Sequence, residues 1–300
     1  MQRALIAIPH FFDRSGSGDP KHDSARAASI GKRAQVLSTL IWGLHERFGQ
    51  QYLVAQHSQQ NCVGYVSPEV MQLDIVLITN GQNHLIDHLS CPATLYRRVE
   101  ASGDPKWLGL TAHKLIAQGL GKYDWYCYLE DDLTIEDPLF FRKLRFVYDL
   151  FDGGVGADTL LQPARFETAR DADTHALPSP WRLYPDFECA GMPYFDASPL
   201  QLDMMGRIWT LEPARHPHSG CFFLDQRRAE LFVQSKYCGQ DDEMWVTPLD
   251  TTATWAVMKT FRLYKPARDS LAFLEVRHMR PAMLGDLRPT GEGTYTWRKP

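Results

Sequence analysis

The sequence predicts an α/β fold, one mostly parallel sheet with helices on both faces. Three observations predict it. The first half alternates short β-branched and aliphatic runs with longer stretches whose apolar residues recur every three and four positions, the pattern of strands joined by crossover helices. Residues 125–129, WYCYL, are apolar and aromatic throughout, as expected of a strand covered on both sides in a parallel sheet. The turn signals Asn80-Gly81 and Gly119 or Gly121 fall where these runs stop, so local chemistry and hydrophobic pattern agree.

Each element follows in order. Residues 3–9, RALIAIP, form a first buried strand, and 10–13 lead into a polar loop, rich in glycine and serine, that extends through residue 23. That length in a compact domain marks a functional or a mobile loop. Over 25–48, Ala28, Leu37, Leu40, Ile41, Leu44 and Phe48 keep helical spacing. Residues 52–56 and 74–79 are strands, 91–98 a possible further one, and 107–120 a helix that delivers the chain to 125–129. A helix over 139–151 is broken at 152–156, and 159–165, TLLQPAR, is the next strand. Residues 170–199 carry many prolines and aromatics without periodicity, an irregular insertion rather than a linker. After it, 216–224 turn into an apolar strand, 239–245 open a helix, 249–263 form another, 261–265 end near Pro266, and 273–281 bring a histidine between two arginines.

Bulk composition narrows the function classes. The chain has 300 residues, 44% hydrophobic and 23% charged, with a formal net charge of -4. That suffices for a substantial core, and the balance gives no electrostatic footprint for nucleic acid or an anionic membrane. No apolar run approaches the roughly 20 residues of a membrane span, so a soluble protein is expected. Six scattered cysteines without a CxxC pair indicate no disulfide framework and fit a reducing cytoplasm.

The chemistry concentrates where the aromatic strand ends. Glu130, Asp131 and Asp132 follow it without a break, and adjacent carboxylates at a buried strand end need solvent or a cation. A divalent metal supplies one, and hard oxygen ligands select Mg²⁺ or Mn²⁺. The other reading is a solvated acidic turn. A calcium EF-hand is disfavoured, since over 131–142 Glu136 stands where its loop needs glycine and Arg142 where it needs glutamate. Downstream come the Ser219-Gly220 turn, the acidic run Asp241-Asp242-Glu243 and the late His278.

In that order, this set resembles the GT-A glycosyltransferases, transferases that use nucleotide-sugars and are built on one Rossmann-like sheet. The resemblance spans residues 3–281 in element order and rests on short motifs. It implies a single domain over 1–300, with a nucleotide- and metal-binding half at 1–150, an acceptor half at 151–285 and a tail at 286–300. It implies Mn²⁺ or Mg²⁺ as cofactor, a nucleotide-sugar donor as co-substrate, and a glycan or other hydroxyl as acceptor. Asp132 and His278 are the implied metal ligands. Glu130, Asp131, His10, Ser219, Gly220, Lys265 and Arg277 fall on the donor. Asp242 is the implied base of an inverting reaction, with Asp241 and Glu243 beside it. These roles are chemically coherent: a metal stabilises the departing diphosphate, cations balance phosphate charge, and an acceptor hydroxyl needs a carboxylate within reach.

Bland readings stand beside these. Residues 241–243 suit a helix N-terminus, His278 suits simple packing, and His216-Pro217-His218 suits a rigid turn. Trp181, Tyr184, Phe187, Tyr194 and Phe195 fill a core or stack on sugar rings. The rival functions are a sugar-phosphate nucleotidyltransferase, which the sequence after Pro9 disfavours for want of a Gly-rich basic loop, and a non-catalytic metal- or carbohydrate-binding protein.

Overall fold

A computed structural model describes residues 1–13, 29–49, 51–66, 70–169, 181–189, 195–241, 247, 250–281, 283–284, 287–291 and 294–297. The chain divides into two compact units, Met1–Asp131 with Cys221–Thr260, and Asp132–Gly220 with Phe261–Pro300.

The chain enters the first unit through β1 (Gln2–Pro9) and α1 (Ile30–Phe48), whose buried Leu37, Ile41, Leu44 and Phe48 form one helical stripe. A hairpin of β2 (Gln51–Gln56) and β3 (Asn61–Val66) follows, then β4 (Met71–Thr79) and β5 (Arg97–Glu100). Helix α2 (Leu108–Gly119) buries Leu108, Ala112 and Ile116, and all five side chains of β6 (Trp125–Leu129) are buried. The second unit begins with β7 (Leu133–Thr134) and α3 (Phe140–Leu150), then β8 (Thr159–Leu161), β9 (Ala164–Thr168), β10 (Arg182–Leu183), β11 (Leu200–Met204) and β12 (Arg207–Pro213). The first unit resumes at β13 (Cys221–Asp225), α4 (Gln226–Gln234) and α5 (Ala256–Thr260). Asp225 caps α4 by accepting the Arg228 N–H at 2.9 Å. Strands β14 (Arg262–Pro266), β15 (Glu275–His278), β16 (Leu287–Gly291) and β17 (Thr294–Trp297) complete the second unit.

In the first unit the strand order is β13-β6-β1-β4-β5. Strand β1 is parallel to β4 and β6, β5 is parallel to β4, and β13 runs antiparallel along β6. The β2–β3 hairpin is a separate sheet, and the second unit holds three more, β10-β9-β15-β7, β11-β12-β14-β8 and β16-β17.

The single, mostly parallel, Rossmann-like sheet expected from the sequence, the GT-A-like fold, is thereby corrected. Among the described residues five separate sheets are present, and those outside the first are antiparallel or mixed. The physical reason lies after residue 131, where strands are short and turn back on neighbours instead of crossing over through helices. The expected strand over 159–165 is two strands in two sheets, β8 and β9, separated by Gln162 and Pro163. Pro163 has no N–H to continue a ladder. The helix expected over 249–263 gives way to β14 at Arg262, and the possible strand at 91–98 is a 3₁₀ turn followed by β5. No helix among the described residues is long and apolar enough to cross a membrane.

Candidate functional site

The Glu-Asp-Asp run begins where β6 ends, and its members have different partners. Asp131 is the last residue of the first unit's opening segment and Asp132 the first of the second unit. Glu130 is half-buried.

In the first unit, β1 ends at Pro9 and places His10 beside Asp131. The His10 ring is 1% exposed, with Nδ1 at 2.6 Å from the Asp131 Oδ2 atom. The Leu85 N–H donates to His10 Nε2 at 3.0 Å. That fixes the tautomer: Nε2 accepts, so Nδ1 carries the proton given to Asp131. Arg33, on the first turn of α1, adds a guanidinium at 3.1 Å from the same oxygen. Asp131 is thus held by one imidazole and one cation, which offset its charge where β6 ends.

In the second unit, β15 carries His278 to Asp132. Their Nε2 and Oδ2 atoms lie 3.3 Å apart, and the Met279 N–H donates to the Asp132 carbonyl at 2.8 Å. The other ring nitrogen is held by Glu167, a fully buried carboxylate on β9, at 2.9 Å. Glu167 also accepts the Leu284 N–H at 2.9 Å. Strand β9 is parallel to β15, and this pairing brings residue 167 to the ring. Burial disfavours charge on His278, but Asp132 and then Glu167 outweigh it and push the imidazole up to about 9. Without a metal, the ring is an imidazolium between two carboxylates.

Of the remaining sequence candidates, Ser219, Lys265 and Arg277 each have partners in the framework. The Ser219 hydroxyl is buried, 2.8 Å from the Pro163 carbonyl and 3.0 Å from Gln162 Oε1. Gly220 sits at φ +68, a left-handed position that suits glycine. Lys265 is buried and donates to the Asp186 and His218 carbonyls, whereas Arg277 pairs with Glu136 at 2.6 Å. Asp241 is exposed, and Asp242 and Glu243 lie outside the described residues. The approach to them is nonetheless anchored: the Gly239 N–H donates to Nδ1 of buried His113 at 3.1 Å.

A second buried charge cluster surrounds Asp186. Arg165 lies 2.6 Å from its carboxylate. Burial raises this carboxyl, but Arg165 first, then His218 and Lys265, hold it well below the usual range. Burial, followed by Arg165, lowers the His218 imidazole to about 3, so the turn at 216–218 carries a neutral ring.

The sequence pairs Asp132 with His278, and the structure sets the two side by side; the contact of His10 with Asp131 is found only in the structure. Sequence reading missed Glu167 and Arg33, whose only signals are a lone acid in a short strand and a cation early in a helix. No family model matches the chain, and no curated protein matches it. Among the described residues, no cluster of three or more His, Cys, Asp or Glu side chains is arranged to hold a metal. Asp132 and His278 face one another as a carboxylate–imidazole pair at 3.3 Å.

Proposed function

We propose that this protein transfers a sugar from a nucleotide-diphosphate donor to a hydroxyl acceptor, using a divalent metal held by Asp132 and His278. One observation carries the reading. A carboxylate and an imidazole distant in sequence meet at 3.3 Å, and the other face of the imidazole is fixed by a buried glutamate. A histidine ligand oriented through its second nitrogen by a carboxylate is the usual support of a metal site. The ordered motifs at 130–132, 219–220, 241–243 and 278 give the reading its substrate class.

The chain's own groups have distinct parts. Glu167 fixes the tautomer and orientation of His278, so Nε2 is the atom presented to Asp132. To ligate, Nε2 gives up its proton, and Glu167 retains the Nδ1–H. When bound, Mn²⁺ or Mg²⁺ supplies Lewis-acid stabilisation of the diphosphate leaving group. Arg33 offsets the charge of Asp131 and His10 donates a hydrogen bond to it, leaving Asp132 as the carboxylate that faces the histidine. Asp242 remains the proposed base, with Asp241 and Glu243 as its neighbours.

A second reading has a specific observation behind it. His278 raised to about 9 is already satisfied by two carboxylates, so Asp132, His278 and Glu167 also make sense as a purely structural ion triad. The test is a thermal-shift screen against UDP, GDP, CDP and ADP, each with Mn²⁺, Mg²⁺ or chelator. A ligand at about a hundred times its dissociation constant adds roughly 2.7 kcal/mol of stability, a readable shift. The transferase reading expects one diphosphate to stabilise the protein with metal and not with chelator. No shift with any nucleotide leaves the structural triad.

A further inference from the structure

Within the second unit, the sheet order β10-β9-β15-β7 puts Glu167 on β9, His278 on β15 and Asp132 immediately before β7. Strand β10 lies at the edge of that sheet, and its Leu183 stands directly opposite Glu167. Opposed residues of an antiparallel pair share a face, with Cβ atoms about 5 Å apart. Leu183 is half-buried and packs on buried Leu284 and Leu287, and Glu167 accepts the Leu284 N–H. Leu183 and Leu284 thus shield from water the buried carboxylate that orients His278.

The segment that carries Leu183 is attached unequally at its two ends. On either side of Leu183, Arg182 pairs with Glu275 of β15 at 2.5 Å and the Tyr184 hydroxyl donates to the same carboxylate. The Arg182 guanidinium also lies over the Phe166 ring at 4.3 Å. Arg182 is nevertheless 42% exposed, and an ion pair with so exposed a member is weak and screened by salt. At the other end Asp186 is buried, Arg165 lies 2.6 Å from its carboxylate, and Lys265 donates to its carbonyl at 3.1 Å. Separating charges paired in such surroundings costs far more. We infer that residues 182–186 form a hinged cover, fixed at Asp186 and latched on Glu275, whose opening governs whether Glu167 holds His278 in one orientation. Closed, the cover keeps water from competing with the His278 Nδ1–H for Glu167. Open, water reaches the carboxylate, and Nε2 is no longer fixed toward Asp132. The consequence for a metal rests on the transferase reading; the cover itself does not.

Hydrogen exchange of the full chain, followed by NMR without metal, tests it. The Leu284 amide reports on Glu167, whose carboxylate it donates to, and the His278 Nδ1 proton reports on the ring. In the parent both should exchange through local opening. Both should quicken about threefold to fivefold on going from about 0.1 M to about 1 M NaCl, where the Debye length falls to about 3 Å. Amides of β1 and β6 should keep their rates. Arg182→Ala should quicken both protons by a similar factor at low salt and abolish their salt dependence, with a melting temperature close to the parent's. Arg182→Lys, which keeps the cation, should behave as the parent. Leu183→Ala leaves both ion pairs in place and should quicken both protons while the salt dependence persists. A parent in which the two protons exchange only by global unfolding, without response to salt, overturns the inference. So does an Arg182→Ala variant in which the His278 proton exchanges as in the parent.

Discussion

Acid should loosen the first unit through His113. This residue is 1% exposed on α2, donates from Nε2 to the Thr252 carbonyl at 2.9 Å, and accepts the Gly239 N–H on Nδ1. Phe232, Phe222 and Tyr128 rings surround it. Burial lowers its pKa from 6.5 to about 4. Between those values the unfolded chain binds the proton and the folded chain does not, so stability falls as pH falls through that window. At 1.36 kcal/mol per unit, the loss attributable to this one ring is about 3 kcal/mol. Protonation also removes the acceptor for Gly239, the residue that leads into Gln240 and the acidic run. The assay is urea unfolding from about pH 7 to about pH 4, for the parent and for His113→Gln, whose amide can both donate and accept without titrating. The variant should lose about 3 kcal/mol less than the parent over that range. Parallel curves would refute the assignment of the acid-sensitive step to His113.

Further outcomes concern the two carboxylate sites. Glu167→Ala leaves the His278 ring and the Leu284 N–H without their acceptor, and should cost about 3–5 kcal/mol in chemical denaturation, with Glu167→Gln milder. His10→Ala strips one partner from Asp131 and the acceptor from the Leu85 N–H; about 1–3 kcal/mol of stability should go, read as a lower urea midpoint. Gly220→Ala forces a side chain into φ +68 and should lower stability by about 1–2 kcal/mol in the same assay.

How much was legible in the sequence depends on which side of residue 131 is considered. Before it, helices α1 and α2 and strands β1, β4 and β6 carry strong periodicity or unbroken apolar runs, and they form where these signals place them. Strand β3 escaped because a fully exposed strand has no alternation to read. Beyond residue 131, several strands are two to five residues long, too short for a period to emerge. Their partners are set by tertiary pairing, which is why one sheet was expected and five form among the described residues. The site shows the same divide. Asp132 and His278 were legible from residue type and order. Glu167 was not, because nothing in ARFET says which side chain points inward until β9 is laid beside β15. Nor could sequence divide the neighbouring carboxylates, one toward His10 and Arg33, the other toward His278.

The most direct test of the central claim is Mn²⁺ binding followed by electron paramagnetic resonance, where bound metal removes the free-ion signal. The account predicts that the parent protein takes up Mn²⁺ in the presence of its nucleotide diphosphate, and that Asp132→Asn and His278→Ala each lose that uptake. Glu167→Gln should retain it with about 10–100-fold weaker affinity, as for a residue that orients a ligand without being one. Equal Mn²⁺ uptake by Asp132→Asn and the parent would contradict the account and leave Asp132, His278 and Glu167 as a structural ion triad.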